Sequence, residues 1–143
     1  MPNPSWEEFT IYSRASVVSL PTDDGDLENL FTAQEYLEVD NNDGIRVDQS
    51  STGGYSVFLF KNKNDSQESI TINWDGQSNR APSDSTVYLQ IYNRNSSTWE
   101  TLDSDSTSAA NIDFTLTGNI FTNLSNYYDN NYWISWRVYQ QAI

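Results

Sequence analysis

The stretch "STVYLQIYN" (residues 85–93) sets Val87, Leu89 and Ile91 in strict alternation with Tyr88, Gln90 and Tyr92. Successive side chains of a β-strand point to opposite faces, so the aliphatic set belongs to a core and the second set to the other side of the sheet. "YWISWRVYQ" (132–140) divides in the same way. Tyr132, Ile134, Trp136 and Val138 are assigned to the core, and Trp133, Ser135, Arg137 and Tyr139 to the second face. "SITINW" (69–74) turns Ile70, Ile72 and Trp74 inward and Thr71 and Asn73 outward. "YSVFLF" (55–60) is apolar on both sides, Val57 and Leu59 opposing Phe58 and Phe60, which predicts a strand in the middle of a sheet buried on both faces.

Further short runs, "ASVVSL", "IRVDQ", "TWETLDS" and "IDFTLTG", alternate with "DNNDG", "SSTGG", "KNDSQ", "RAPSD", "RNSS" and "DSTSAAN". These separators are turn chemistry, because Gly and Asn accept positive φ and Asp and Ser bond to their own backbone. Helical periodicity is confined to "DLENLFTAQEYLEV" (26–39), whose spacing predicts one short helical turn at most, followed by a strand from about Tyr36 to Val39. The expected fold is all-β: a jelly-roll-like antiparallel β-sandwich of eight or nine strands. Residues 1–15 read as an extended N-terminal arm or edge strand, and residues 16–143 as a single sandwich domain.

Composition narrows the function. Asn, Ser and Thr make up about a third of the 143 residues, so amides and hydroxyls, more than charge, keep the surface wet. The five Trp and nine Tyr give enough apolar area to fold. Net charge is −13, seven Lys and Arg against twenty Asp and Glu, which repels phosphate backbones and anionic lipid. Nucleic acid and membrane insertion are therefore not expected; a neutral ligand such as a glycan, a cation, or other copies of the same chain are. With no Cys there is neither a disulfide framework nor a thiolate site, and with no His there is no His-activated nucleophile. A carboxylate pair could hydrolyse a glycoside, but twenty acidic residues single out no pair, and no enzymatic activity is expected. The composition suits an extracellular or cell-surface module, mature or excised from a longer protein.

Two constellations carry candidate chemistry. Tyr88, Gln90, Tyr92, Trp133, Arg137 and Tyr139 share the second sheet face and mix flat rings with planar hydrogen-bonding groups. The C–H face of a pyranose stacks on such rings while its hydroxyls bond to amide and guanidinium. The competing explanation is that Arg137 lies over a neighbouring Tyr or Trp on a solvated or loop-covered face. The second constellation is acidic: "TDDGD" (Asp23, Asp24, Asp26) and "VDNNDGIRVD" (Asp40, Asp43) could hold one structural Ca2+ through carboxylate and carbonyl oxygens. Neither matches the calcium loop with its Glu at position twelve, and acidic turns held by Asx bonds are the alternative.

The segment "VYLQIYNRNSSTWETLDSD", followed by "FTLTGNIFTNLSNYYDNNYWISWRVY", resembles galactose-binding-like jelly-roll modules, similar to carbohydrate-binding modules, of bacterial and archaeal surface and secreted proteins. The resemblance rests on Tyr92, Asn93, Trp99, Glu100 and Leu102, then Asn126, Tyr127, Asp129, Arg137 and Val138, and covers about the C-terminal 60 residues. It implies a jelly roll without catalytic activity, often appended to glycoside-acting or adhesive proteins and often carrying one structural calcium. It also implies that Trp99 and Tyr92 pack within their hairpin. The expected function is a non-catalytic glycan-binding module; the alternative is a self-associating subunit of a surface layer, filament or virion.

Overall fold

The β-branched and aromatic runs pair into two antiparallel sheets in a computed structural model that describes residues 10–38, 47–49, 54–63 and 69–142. Eight strands lie among the described residues: β1 (Thr10–Val17), β2 (Asn29–Leu30), β3 (Gly54–Lys63), β4 (Ile70–Gly76), β5 (Val87–Asn93), β6 (Thr98–Asp105), β7 (Phe114–Ile120) and β8 (Trp133–Ala142). They divide six against two. The large sheet has the order β2-β1-β3-β8-β5-β6, and β4 pairs with β7 as the second layer. The all-β sandwich expected from the alternation is what the chain forms.

The core lies between the layers. Phe60, Val87, Leu89, Ile91, Ile134, Trp136 and Val138 of the large sheet meet Ile70, Ile72 and Leu116 of the small one, all buried. At about 1.5–3 kcal/mol for each fully buried large side chain, this face supplies the main driving force for folding. Trp136 shows how a polar atom is kept inside it. Its ring stacks on Phe60 with centroids 4.2 Å apart, and its indole N–H donates to Asn62 Oδ1 at 2.7 Å. As the pattern of "YSVFLF" requires, β3 is central, flanked by β1 and β8, with Val57 and Leu59 buried on one side and Phe60 on the other.

Three local expectations change. Tyr132 is not core: it is 41% exposed, with φ of 64°, and β8 begins at the next residue. A left-handed residue breaks the strand alternation, so parity cannot be extended across it. Tyr36 to Glu38 are helical rather than extended, belonging to α1 (Ala33–Glu38). A reciprocal cap drives this turn: Glu35 N–H donates to Thr32 Oγ1 and Thr32 N–H donates to Glu35 Oε1. Beside it, Phe31 and Tyr36 pack on Tyr12, closing the β1 side of the core. In "IRVDQ", Val47 to Gln49 form no strand, while Ile45 and Arg46 lie outside the described residues. Of the arm or edge strand expected over residues 1–15, residues 1–9 lie outside the described residues, and from Thr10 the chain is β1, which runs through residue 15 to Val17 and is paired with β3 along its whole length.

Candidate functional site

The outward row of β8, at two-residue steps of roughly 7 Å, is Trp133, Ser135, Arg137 and Tyr139. β5 contributes Tyr88, Gln90 and Tyr92 to the same face, Tyr88 opposite Tyr139 and Gln90 opposite Arg137. The six ligand-binding candidates are therefore brought together on one face. That face is not open. After β1 the segment 18–28 crosses it as a strap before the chain reaches β2, and Ser13, Ala15, Val57, Leu59 and Ser135 on the same side are fully buried.

Hydrogen bonds from several strands fix the strap. Leu27 N–H donates to Ser13 Oγ at 3.0 Å, Arg137 Nη1 to the Pro21 carbonyl at 2.8 Å, and Trp99 Nε1 to the Asp23 carbonyl at 3.3 Å. Asp24 Oδ2 accepts from Arg94 Nη1 at 2.8 Å and from Ser135 Oγ at 2.7 Å, and Asp26 pairs with Lys61 at 2.8 Å. Burial pushes the Asp24 carboxyl up, but the Ser135 hydroxyl, Arg94 and Lys61 together hold it below the ordinary carboxylate value.

Arg137 sits at the centre, 6% exposed. Its Nε donates to Gln90 Oε1 at 2.9 Å, and its guanidinium carbon lies 4.2 Å from the Trp99 ring centre and 5.3 Å from that of Tyr139. Burial lowers its pKa to about 10, against a small opposing pull from Tyr139. The loop-covered cation–π explanation thus describes Arg137. Gln90 is also engaged on its other side, its Nε2 donating to Thr101 Oγ1 at 3.1 Å, and Tyr92 is buried beside Trp99 with ring centres 5.1 Å apart. Trp133 is half-buried at the end of the row, its carbonyl accepting from Arg94 Nη2.

Beyond the strap the face changes character. Tyr139 stacks on Tyr88 with centroids 5.2 Å apart, and Tyr55 of β3 meets Tyr139 edge-on at 5.8 Å. All three are half-buried. Burial raises the Tyr139 phenol above its ordinary value, and Tyr88 and Tyr55 add to the rise against Arg137. This ridge spans three adjoining strands, β3, β8 and β5.

The carboxylates proposed for calcium lie apart from one another in function. Asp24 and Asp26 face cations under the strap, while exposed Asp23 turns Oδ1 back to the Gly25 N–H at 3.2 Å. Asp40 and Asp43 lie outside the described residues. Among the described residues no three His, Cys, Asp or Glu side chains gather as a metal-binding group.

The residues missed from sequence are Arg94, Tyr55 and Pro21; Trp99, expected only to pack with Tyr92 in its hairpin, also meets Arg137 and the strap. For Arg94 the available signal was scarcity: in a chain with seven cations and twenty acids, each Arg or Lys has a carboxylate to find, whereas nothing local marks Tyr55 or Pro21.

A family model named AF_1625_C, described as "Uncharacterized protein, C-terminal domain", matches residues 7–142. The chain belongs to this family. No curated protein and no solved structure matches it. In this AF_1625_C domain the Tyr92, Asn93, Trp99, Glu100 and Tyr127 set is a packed unit on both sides of the β5–β6 hairpin. Glu100 accepts from Asn93 Nδ2 at 3.0 Å and from the Tyr127 hydroxyl, and Asn93 Oδ1 caps the turn by accepting from the Asn95 and Ser96 N–H groups.

Proposed function

We propose that the domain is a non-catalytic binding module that takes a glycan on the tyrosine ridge of Tyr55, Tyr139 and Tyr88. One observation carries the reading: these three rings stay half-exposed side by side, while Tyr92, Gln90 and Arg137 are engaged in packing and strap contacts. A row of phenols offers apolar ring surface and hydroxyl donors together, which suits a ligand that is apolar on one face and hydroxylated at its rim. The amide- and hydroxyl-rich surface favours hydroxylated partners, and the net charge of −13 disfavours phosphate backbones and anionic lipid surfaces.

A glycan array followed by calorimetry tests the reading. Binding of at least one neutral oligosaccharide is expected, with Tyr88→Ala and Tyr55→Ala each weakening it about tenfold or more. Binding unchanged in both variants, or a monomer with no hits, overturns it. Sedimentation as polymers would favour the other class, contact between copies of the chain.

A further inference from the structure

Of the seven cationic side chains, Lys61, Arg94 and Arg137 stand under one acidic strap. Lys61 and Arg94 are matched there by Asp26 and Asp24. Arg137 is not matched: its hydrogen bonds go to two neutral carbonyl oxygens, of Gln90 and Pro21, and its faces to Trp99 and Tyr139. A guanidinium that is 6% exposed and meets no carboxylate is costly, because buried charges are ordinarily paired. The strap reaches this centre with backbone oxygens, the Pro21 carbonyl on Arg137 and the Asp23 carbonyl on the Trp99 indole.

The strap is not uniform. Pro21, Asp23, Gly25 and Leu27 of the strap close a small cleft over Val57, Leu59, Trp99 and Arg137, and the strap's tip, residues 22–26, carries three carboxylates and Gly25. The cleft holds about 10 Å3, enough for one water molecule and nothing larger, so any ligand of Arg137 requires the tip to move. Lifting the tip would free Lys61 and Arg94 beside Arg137, Trp99 and Tyr139.

We propose that the acidic tip is an internal occupant of a cation-and-aromatic groove whose external ligand is a carboxylate-bearing glycan, a polyuronate. The inference deepens the glycan reading, on which it rests, by adding acidic sugars to the site that ends in the tyrosine ridge. A uronate supplies the carboxylate that Arg137 does not meet and the hydroxyls that the half-exposed phenols of the adjoining ridge can bond. The groove is continuous with the ridge through Tyr139, whose ring lies between Arg137 and Tyr88, so a hydroxylated, carboxylate-bearing chain can meet the cations and the phenols together, which suits a uronate more than an acidic peptide.

Calorimetry with oligogalacturonate and with a neutral cello-oligosaccharide of equal length provides the test. Asp24→Asn with Asp26→Asn releases the tip, and this double variant should bind oligogalacturonate at least tenfold tighter than the wild type, with no gain for the neutral chain. Adding Arg137→Met should abolish the gain, and raising salt should weaken it. No gain in the double variant, a gain that survives Arg137→Met, or tighter binding of oligo-aspartate than of oligogalacturonate overturns the inference. If the double variant does not fold, hydrogen exchange on the wild type decides: amides 22–26 should exchange faster with millimolar oligogalacturonate and not with the neutral chain, and no difference overturns it. Neutral binding that is lost in Tyr88→Ala, without any polyuronate effect, leaves the ridge reading standing and removes only the groove. Absence of binding to either chain removes both.

Discussion

Asp24→Asn removes the charge that latches the strap while keeping the side chain's shape. Asp24 Oδ2 accepts from Arg94 Nη1 and Ser135 Oγ, and the ion pair is mostly buried, with side chains 23% and 22% exposed. Breaking a fully buried pair costs about 3–5 kcal/mol and an exposed one about 0–1 kcal/mol. This pair stands between, because Arg94 keeps the carbonyls of Tyr127 and Trp133 and the Ser135 hydroxyl as acceptors. A loss of about 2 kcal/mol follows, which for a domain of this size lowers Tm by roughly 6–8 °C. The folded carboxyl titrates below its ordinary value of 3.8, so its stabilising contribution is complete above that value. It is lost as pH falls through the lower, folded value. Urea unfolding followed by Trp fluorescence should therefore show the full gap between wild type and variant near pH 7 and a gap under about 0.5 kcal/mol near pH 2. Equal stability near neutrality, or a gap that persists undiminished in acid, refutes the assignment of Asp24 as the latch.

Glu100→Gln should bring the Tyr127 phenol down from about 12, where burial, the Glu100 hydrogen bond and the Glu100 charge hold it. Ultraviolet titration would register the change, and a last-titrating phenol that does not move refutes it. Because that raised value stabilises the fold below the ordinary 10.0 and the contribution fades as pH rises through about 12, the stability gap between wild type and Glu100→Gln should be full at neutral pH and shrink in strong alkali. Gly118→Val places a Cβ 2.6 Å from Leu102 Cδ1 and 2.9 Å from Leu102 Cβ, and should cost about 1–3 kcal/mol in urea unfolding. Leu102→Ala in the same chain should return part of that cost, and strictly additive losses would argue against the contact. Thr32→Ala removes one half of the reciprocal cap on α1 and should cost about 1 kcal/mol, with faster amide exchange across residues 33–38; unchanged exchange there contradicts the capping role.

Where alternation is unbroken, the sequence carried the structure: Val87, Leu89 and Ile91 are buried, and Tyr88, Gln90 and Tyr92 share the opposite face with Arg137 and Tyr139. Alternation is a local property, and it misled where a single positive φ at Tyr132 ended it. The turn at α1 was hidden for a different reason. Its stability comes from two side-chain bonds between Thr32 and Glu35, which a search for apolar stripes passes over. The site was legible as a face but not as a closed one. Nothing local in "TDDGD" says whether its carboxylates look to solvent, to a metal or to cations: Arg94 lies 70 residues from Asp24 along the chain, and Ser135 lies 111. The six-to-two division of the sheets is likewise set by long-range pairing, as in β3 with β8, and leaves no mark on either strand alone.

The place of β8 in the large sheet has a consequence for how the chain acquires its structure. β8 is the last of the described strands in sequence, yet it lies between β3 and β5, pairing with both. Until residues 133–142 arrive, the sheet exists as two halves, β1 with β3 and β5 with β6, each with a bare edge where the other will be joined. The final strand is thus a keystone inserted between earlier parts, and closure waits on contacts that span most of the chain. Such topology folds slowly, because loop closure must be completed before the pairing repays it. On the ribosome the domain would stay open until residues 133–142 had cleared the exit tunnel, and the two bare edges would be the surfaces that most need guarding in that interval.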